Sequence, residues 1–301
     1  MIMNIFLTML CGYIFAFYDK EKKETENALN KYLYYIALPS IIIYKLQSID
    51  IAKLNLSFFL INSIPLILIM LIVYFLWIFK VLKMNFARTL IISATMGNTI
   101  YLGFPVVSSL FGDDFIAYAA MSAAIQNIVI FSLGFVFVNL ISEDELNLKI
   151  FSKHIFKNIV FLSSLFSILI SLFGLKLPNV FISLMELLSK TTIPLSLFLL
   201  GVALYGSKID MLKIKNIFVI SFFKMLLLPF LTGFIIYFAN LNSDTIKVSF
   251  IEYTMPVAVL AFVVSKELEM ESETVAQTIF FTTLLYFPIV LIIDKIVEII
   301  I

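Results

Sequence analysis

The chain is a succession of long apolar runs separated by short polar connectors. The runs have about the 20 residues that an α-helix needs to cross a bilayer. They lie at 1–18, 29–48, 56–79, 88–111, 115–141, 155–174, 179–206, 216–240, 246–265 and 274–293. The mean hydropathy is +1.07, and 62% of the residues are hydrophobic, more than in soluble domains. The pattern therefore predicts an all-α membrane protein with ten transmembrane helices.

Lysine residues set the predicted orientation of these helices. Most of the 21 Lys and Arg residues fall in connectors that follow odd-numbered spans. Because cytoplasmic loops are enriched in Lys and Arg, we expect these connectors to be cytoplasmic and both termini to lie outside. Arg88 is the single arginine, and Lys, Ile, Phe and Asn are abundant. This usage is typical of AT-rich bacterial genomes, and it predicts a multi-pass protein of the bacterial inner membrane.

Composition and charge exclude several classes of function. The net charge is +1, which implies no nucleic-acid partner. Cys11 and His154 are the single residues of their types, so an intramolecular disulfide and a cysteine metal cluster are excluded. The sequence contains no His-Glu metal pair, no glycine loop for phosphate and no nucleophile with a base. We therefore expect no enzyme, no metal and no cofactor.

Proline positions indicate an internal repeat. The matched pairs are Pro39 with Pro194, Pro65 with Pro229, and Pro105 with Pro256. They divide the chain into two five-helix repeats, 1–141 and 155–300, which must be inverted because five is an odd number of spans. Inverted repeats with interrupted helices are typical of secondary transporters. The alternative is that prolines are simply frequent in membrane helices.

The stretch GNTIYLGFP, residues 97–105, interrupts the fourth span. Gly97 and Gly103 add backbone freedom, and Pro105 leaves the carbonyl of Tyr101 without a helical donor. Such a break is tolerated in a membrane only where it faces protein or a water-filled cavity. The alternative is a kink in which Ser and Thr side chains satisfy the freed carbonyl.

The ninth span carries a matching break in TMPVA. Pro256 frees the carbonyl of Glu252. If the two breaks cross, half-helix N-termini attract anions and exposed carbonyl ends attract cations, which suits a carboxylate solute or a coupling ion. Polar residues flank both breaks and are candidates for binding: Asn98, Thr99, Tyr101, Glu252 and Thr254.

Other polar residues lie inside predicted spans. Gln126 and Asn127 are amides in the fifth span, where they either complete the site or hydrogen-bond neighbouring helices. Glu252 is a candidate proton carrier, cation ligand or structural partner. Lys224, in the eighth span, either pairs with an anionic substrate or Glu252, or extends to the cytoplasmic interface.

The order of these motifs resembles a known family. GN followed by LGFPV, then LFG, a span with QN, MPVAVLAFVV and LYFPIV are similar to the auxin efflux carrier family. IALPSIIIYKL and IPLSLFLLGVAL also resemble its members. The family includes bacterial malate and malonate permease-like proteins. The short central connector, 142–154, differs from the long loop of many plant members and argues against auxin as the substrate.

The resemblance implies a fold similar to bile-acid sodium symporters and sodium/proton antiporters. Residues 1–48 and 155–206 would form a scaffold that mediates a homodimer. Residues 56–141 and 216–300 would form the moving core, with helices 4 and 9 crossing at Pro105 and Pro256. Asn98 and the amides of the fifth span are then candidates for the site.

Together, these features predict a secondary transporter of a small organic anion, such as malate or malonate, that works by alternating access. The candidate coupling ion is a proton or sodium, with a sodium site near Glu252. One alternative is a sodium/proton or other cation antiporter. Another is a non-transporting membrane receptor or a membrane-embedded enzyme.

Overall fold

A computed structural model describes residues 2–47, 56–142, 159–206, 209–239, 241 and 243–300. Within these ranges all regular secondary structure is helical. The α-helices are α1 (Ile2–Tyr18), α2 (Lys22–Tyr32), α3 (Leu38–Leu46), α4 (Leu56–Ile61), α5 (Ile64–Ile78), α6 (Met84–Thr95), α7 (Phe104–Phe111), α8 (Ile116–Val129), α9 (Phe135–Ile141), α10 (Ile159–Leu172), α11 (Asn179–Ser189), α12 (Thr192–Leu204), α13 (Ile214–Phe222), α14 (Leu228–Phe238), α15 (Asp244–Thr254), α16 (Val259–Glu267) and α17 (Ser272–Ile300). The central connector with His154 lies almost entirely outside the described residues.

Each of the ten predicted apolar runs contains helix. Five helices have the length and composition to cross a membrane: Leu56–Ile78, Asp113–Ile141, Asn179–Leu204, Ile214–Phe238 and Ser272–Ile293. Shorter apolar helices occupy Met3–Tyr18, Thr99–Phe111 and Phe161–Leu172. The apolar pattern thus located the helices, while ten crossings arranged as two inverted repeats stay a prediction.

Several prolines in the described residues follow a π-helical turn instead of interrupting the helix. In the described residues, π-helical turns lie at π1 (Leu33–Ala37), π2 (Thr99–Gly103), π3 (Ile130–Gly134) and π4 (Phe223–Leu227). Pro39, Pro105 and Pro229 each follow such a turn by two residues. A π turn accommodates a residue that lacks an N–H and that clashes with the carbonyl before it. The helices therefore continue through these three prolines.

The chain divides into two compact units. Unit 1 comprises Met1–Asn55, Ile100–Ala124 and Phe156–Ser207. Its helices α1 and α12 pack backbone against backbone. A Cβ atom at Gly12 would lie 2.0 Å from the carbonyl oxygen of Phe198, and one at Gly201 would lie 1.8 Å from that of Met9. Small residues at such positions let membrane helices approach closely.

Unit 2 comprises Leu56–Thr99, Ile125–Ile155 and Lys208–Ile301. Its buried apolar core draws on α5, α6, α9, α16 and the π turns beside them. Residues 1–48 and 156–206 of the predicted scaffold segments are assigned to unit 1. The predicted core segments fall within unit 2 except for Ile100–Ala124, which group with unit 1.

Candidate functional site: the crossing of two interrupted helices

Two helical segments of unit 2 are interrupted by extended backbone. The first interruption, residues 96–98, separates α6 from π2, and the second, residues 255–258, separates α15 from α16. The two stretches run antiparallel, and Gly97 pairs with Val257 in an isolated β-bridge. We call these two stretches the crossing.

Backbone hydrogen bonds join the two sides of the crossing. The N–H of Asn98 donates to the carbonyl oxygen of Pro256 at 2.8 Å, and the N–H of Ala258 donates to that of Met96 at 2.9 Å. Each interruption therefore satisfies backbone groups that the other exposes. This explains how two breaks are tolerated in an apolar interior, where an unpaired backbone group costs several kcal/mol.

A threonine ends the helix on each side of the crossing. The hydroxyl of Thr95 donates to the carbonyl of Ile91 at 2.7 Å, and that of Thr254 donates to the carbonyl of Ile251 at 2.7 Å. Each bond adds a side-chain donor to a backbone carbonyl near the C-terminal end of its helix. The acceptors are Ile91 and Ile251, not the carbonyls of Tyr101 and Glu252 that the prolines free, so these bonds differ from the proline kink that the alternative described.

The last helix, α17, supports the second interruption. The N–H of Val257 donates to the hydroxyl oxygen of Thr282 at 3.2 Å. One turn further along α17, the hydroxyl of Tyr286 lies 3.4 Å from that of Thr254, within hydrogen-bonding distance. Sequence reasoning missed Thr282 and Tyr286, whose spacing of four residues puts both on one face of α17.

Lys224 reaches the crossing from π4. Its side chain is 1% exposed, so the alternative that it extends to the cytoplasmic interface is wrong. A Cβ atom built on Gly97 would lie 2.8 Å from the ammonium nitrogen of Lys224 and 3.5 Å from the carbonyl oxygen of Glu252. The ammonium therefore lies directly against the backbone of the crossing, in space that a side chain at position 97 would fill.

Glu252 lies in the last turn of α15 and is completely buried. Both carboxylate oxygens lack a hydrogen-bond partner among the described residues, while the carboxylate interacts electrostatically with Lys224. A buried unpaired charge is expensive, and removing one member of a buried pair leaves the other uncompensated. The two side chains thus form one electrostatic unit beside the crossing.

Asn98 supplies a free donor at the same place. Its side chain is buried, and its Nδ2 has no hydrogen-bond partner within the described residues. Ser93 Oγ and Tyr253 Oη, on the two helices that lead into the crossing, are also buried without a partner there. Thr99 is buried at the start of π2. Buried polar groups are normally satisfied, so this concentration of unpartnered atoms marks a place that can take a ligand.

The two amide side chains of the fifth span, Gln126 and Asn127, differ in burial and in hydrogen bonding. Gln126 Nε2 donates to Asn62 Oδ1 at 3.1 Å, and Asn62 Nδ2 donates to Ser249 Oγ at 2.8 Å. Asn127 is half-buried. Gln126 therefore joins α8 to the turn after α4 and, through Asn62, to α15, as the hydrogen-bonding alternative expected. Sequence analysis did not single out Asn62 or Ser249.

The remaining candidates of the fourth span lie outside unit 2. Tyr101, Gly103 and Pro105 belong to unit 1, where the Tyr101 hydroxyl donates to Asn30 Oδ1 at 3.4 Å. Pro105 lies in the first turn of α7, directly after π2. The first interruption therefore lies at residues 96–98 rather than at Pro105, because the π turn absorbs the proline.

Comparison with known proteins decides the class of the chain. A family model described as membrane transport protein matches residues 1–293. The chain belongs to this family. It is the auxin efflux carrier family that the motifs resemble, and its members are transport proteins rather than enzymes. The match, together with several helices long enough to span a bilayer, makes the chain a multi-pass membrane protein.

An uncharacterised transporter of Methanocaldococcus jannaschii is 27% identical over 214 residues, which cover 64% of this chain and 65% of the relative. The chain thus matches less than two thirds of that relative's length.

Proposed function

We propose that the chain is a secondary transporter of a small organic anion, a carboxylate such as malate or malonate, with its substrate site at the crossing. It would work by alternating access in the bacterial inner membrane, with both termini outside and a homodimer formed through residues 1–48 and 155–206. The observation that carries the proposal is the fully buried ammonium of Lys224 against the crossing.

The groups at the crossing suit an anion. The ammonium of Lys224 supplies positive charge, and the free Nδ2 of Asn98 supplies a neutral donor. Helical segments begin at Thr99 and at Val259, on either side of the crossing, and helix N-termini favour anions. A carboxylate that accepts hydrogen bonds from Asn98 and Lys224 makes charge-assisted contacts, which are about twice as strong as neutral ones.

Glu252 supplies a route to coupling. The substrate carboxylate and the carboxylate of Glu252 both require the positive charge of Lys224. A proton on Glu252 removes this competition, so protonation of Glu252 favours binding of the anion, and binding of the anion favours protonation. Proton-coupled uptake of the anion follows, with Glu252 as the proton carrier.

The experiment is uptake of radiolabelled malate and malonate into proteoliposomes, with and without an imposed pH gradient. We expect Lys224→Met to lower uptake at least about tenfold, because a charged hydrogen bond contributes about 1.5–3 kcal/mol. Lys247→Met is the matched control, since Lys247 is partly exposed on α15 and pairs with Asp244 at 3.6 Å. Wild-type uptake by folded Lys224→Met protein would refute the proposed site.

A cation antiporter is the second candidate, because the unpartnered carboxylate of Glu252 suits a cation or proton. It predicts that adding external sodium, with no organic anion present, drives protons out of the vesicles in exchange for sodium, so that the lumen becomes more alkaline. We expect no such proton flux. Sodium-driven proton flux that Glu252→Gln abolishes would favour the antiporter.

A further inference from the structure

The end of a broken helix is a place that attracts a cation. Helix α6 ends at Thr95 and α15 ends at Thr254, and both C-termini lie at the crossing. The carbonyl ends of helices carry partial negative charge. The carboxylate of Glu252 adds a full negative charge within one turn. In interrupted membrane helices, such carbonyl ends and unwound backbone coordinate sodium ions or protons.

The residues present do not fit a sodium ion. The ammonium of Lys224 already lies beside this group of negative charges: a Cβ atom at Gly97 would be 2.8 Å from its nitrogen and 3.5 Å from the carbonyl oxygen of Glu252. A second cation there would meet the repulsion of a buried ammonium, where the low dielectric strengthens the repulsion. Within the described residues, no three His, Cys, Asp or Glu side chains gather to hold a metal ion.

We propose that the Lys224 ammonium is a tethered cation that occupies the place of a coupling alkali ion, so that the protein binds its substrate without sodium. Removal of this side chain opens a monovalent-cation site at the Glu252 carboxylate and the carbonyl end of α15. The proposal deepens the proposed function, on which its consequence for substrate binding rests, but the latent cation site is testable without any substrate.

The absence of a side chain at Gly97 supports the proposed position of the Lys224 ammonium. A Cβ atom there would approach the ammonium nitrogen to 2.8 Å, which is closer than real Cβ contacts. The absence of a side chain at position 97 therefore keeps room for the ammonium at the crossing. The β-bridge alone does not explain the glycine, because residues of any type can adopt extended backbone.

The experiment measures thermal unfolding of detergent-solubilised variants in sodium chloride against choline chloride at constant ionic strength. We expect no sodium-specific shift for wild type or Lys224→Arg. Lys224→Ala should gain a melting-temperature rise of about 2–5 °C that saturates with sodium. Lys224→Met has no charge but fills the space with an apolar chain, so it should gain no response. The double variant Lys224→Ala with Glu252→Gln should also gain none.

Binding of radioactive sodium to membranes provides a second readout that does not depend on survival in detergent. Lys224→Ala, or Lys224→Ser if the alanine variant is not recovered, should bind sodium, while wild type and Lys247→Ala should not. Sodium binding to wild type would overturn the proposal. Absence of sodium binding to Lys224→Ala, or to Lys224→Ser where that variant is used instead, would also overturn it. Absent anion uptake by wild type, with sodium gained by Lys224→Ala, would instead refute the proposed substrate while leaving the tethered cation intact.

Discussion

Gly97 and Lys224 fit together at the crossing, because a Cβ atom at Gly97 would lie 2.8 Å from the Lys224 ammonium nitrogen. We expect Gly97→Ala to displace the ammonium and to lower anion uptake about tenfold or more, the loss expected for a charged hydrogen bond. Radiolabelled uptake in proteoliposomes measures this. Gly134→Ala is the control, since its Cβ atom would meet the flexible end of Met70 at 3.2 Å and make an ordinary contact with Ile130 Cγ2 at 3.7 Å.

A double-mutant cycle separates displacement of Lys224 from a backbone effect. The cost of Gly97→Ala in unfolding free energy should fall when Lys224 is already alanine, because the clashing atom is gone. Equal costs in the two backgrounds would mean that position 97 requires glycine for its backbone alone.

The two threonines that end α6 and α15 should contribute to stability. Thr95→Val and Thr254→Val each remove a hydroxyl donor from a buried helix carbonyl, and we expect each to lower the free energy of unfolding by about 1–2 kcal/mol. Thr95→Ser and Thr254→Ser keep the donor and should remain near wild type. Melting curves of the four variants test this, and serine variants as unstable as the valine ones would contradict it.

The contact between α1 and α12 should tolerate no side chain at its glycines. Gly12→Ala and Gly201→Ala place Cβ within 2.0 Å of backbone oxygens, so the helices must separate. We expect a loss of about 2 kcal/mol or more in stability, which is in the range of overpacked cores. Leu10→Ala, at an exposed position of α1, is the control and should change stability little.

The buried amide pair of Asn62 and Gln126 should stabilise unit 2. Asn62→Leu removes a hydrogen-bond partner from both Gln126 and Ser249, and we expect a loss of about 2–3 kcal/mol because buried polar groups lose their partners. Asn127→Leu, at a half-buried neighbour of Gln126, should cost less than half of this. Thermal unfolding distinguishes the two, and equal losses would contradict the assigned network.

Glu252 should carry the pH dependence of uptake. If a proton on Glu252 accompanies the anion, wild-type uptake rises as the external pH falls, and Glu252→Gln, which mimics the protonated form, makes initial binding insensitive to pH. Among the described residues, the charged and titratable side chains Lys224 and Tyr286 interact electrostatically with Glu252. Lys224→Arg should keep the pH profile, whereas an unchanged profile in Glu252→Gln would assign the proton elsewhere.

Local sequence predicted much of the helical structure and singled out the buried polar residues that lie near the crossing. Apolar runs located the helices, and the rarity of charged side chains in membranes singled out Lys224 and Glu252. Asn98 emerged in the same way. The helix positions could be predicted because they depend on composition within one segment, whereas the roles of these three residues stay predictions.

The position of the first interruption was not predictable from proline. Pro105 is the conspicuous helix breaker, yet π2 accommodates it, and the extended backbone begins instead at Met96. A shared Thr-Met dipeptide, Thr95-Met96 and Thr254-Met255, does mark both interruptions. Contacts such as those of Asn62, Ser249 and Thr282 depend on which helices become neighbours, which no single segment of sequence reveals.

The β-bridge of the crossing has a consequence for how the sequence can change. If one substitution restored continuous helix at residues 96–98, the carbonyl of Pro256 and the N–H of Ala258 would lose the partners that they have now. The same holds in the other direction for residues 255–258. We therefore expect the two short stretches, far apart in the chain, to change together, because a change in one leaves backbone groups of the other without partners.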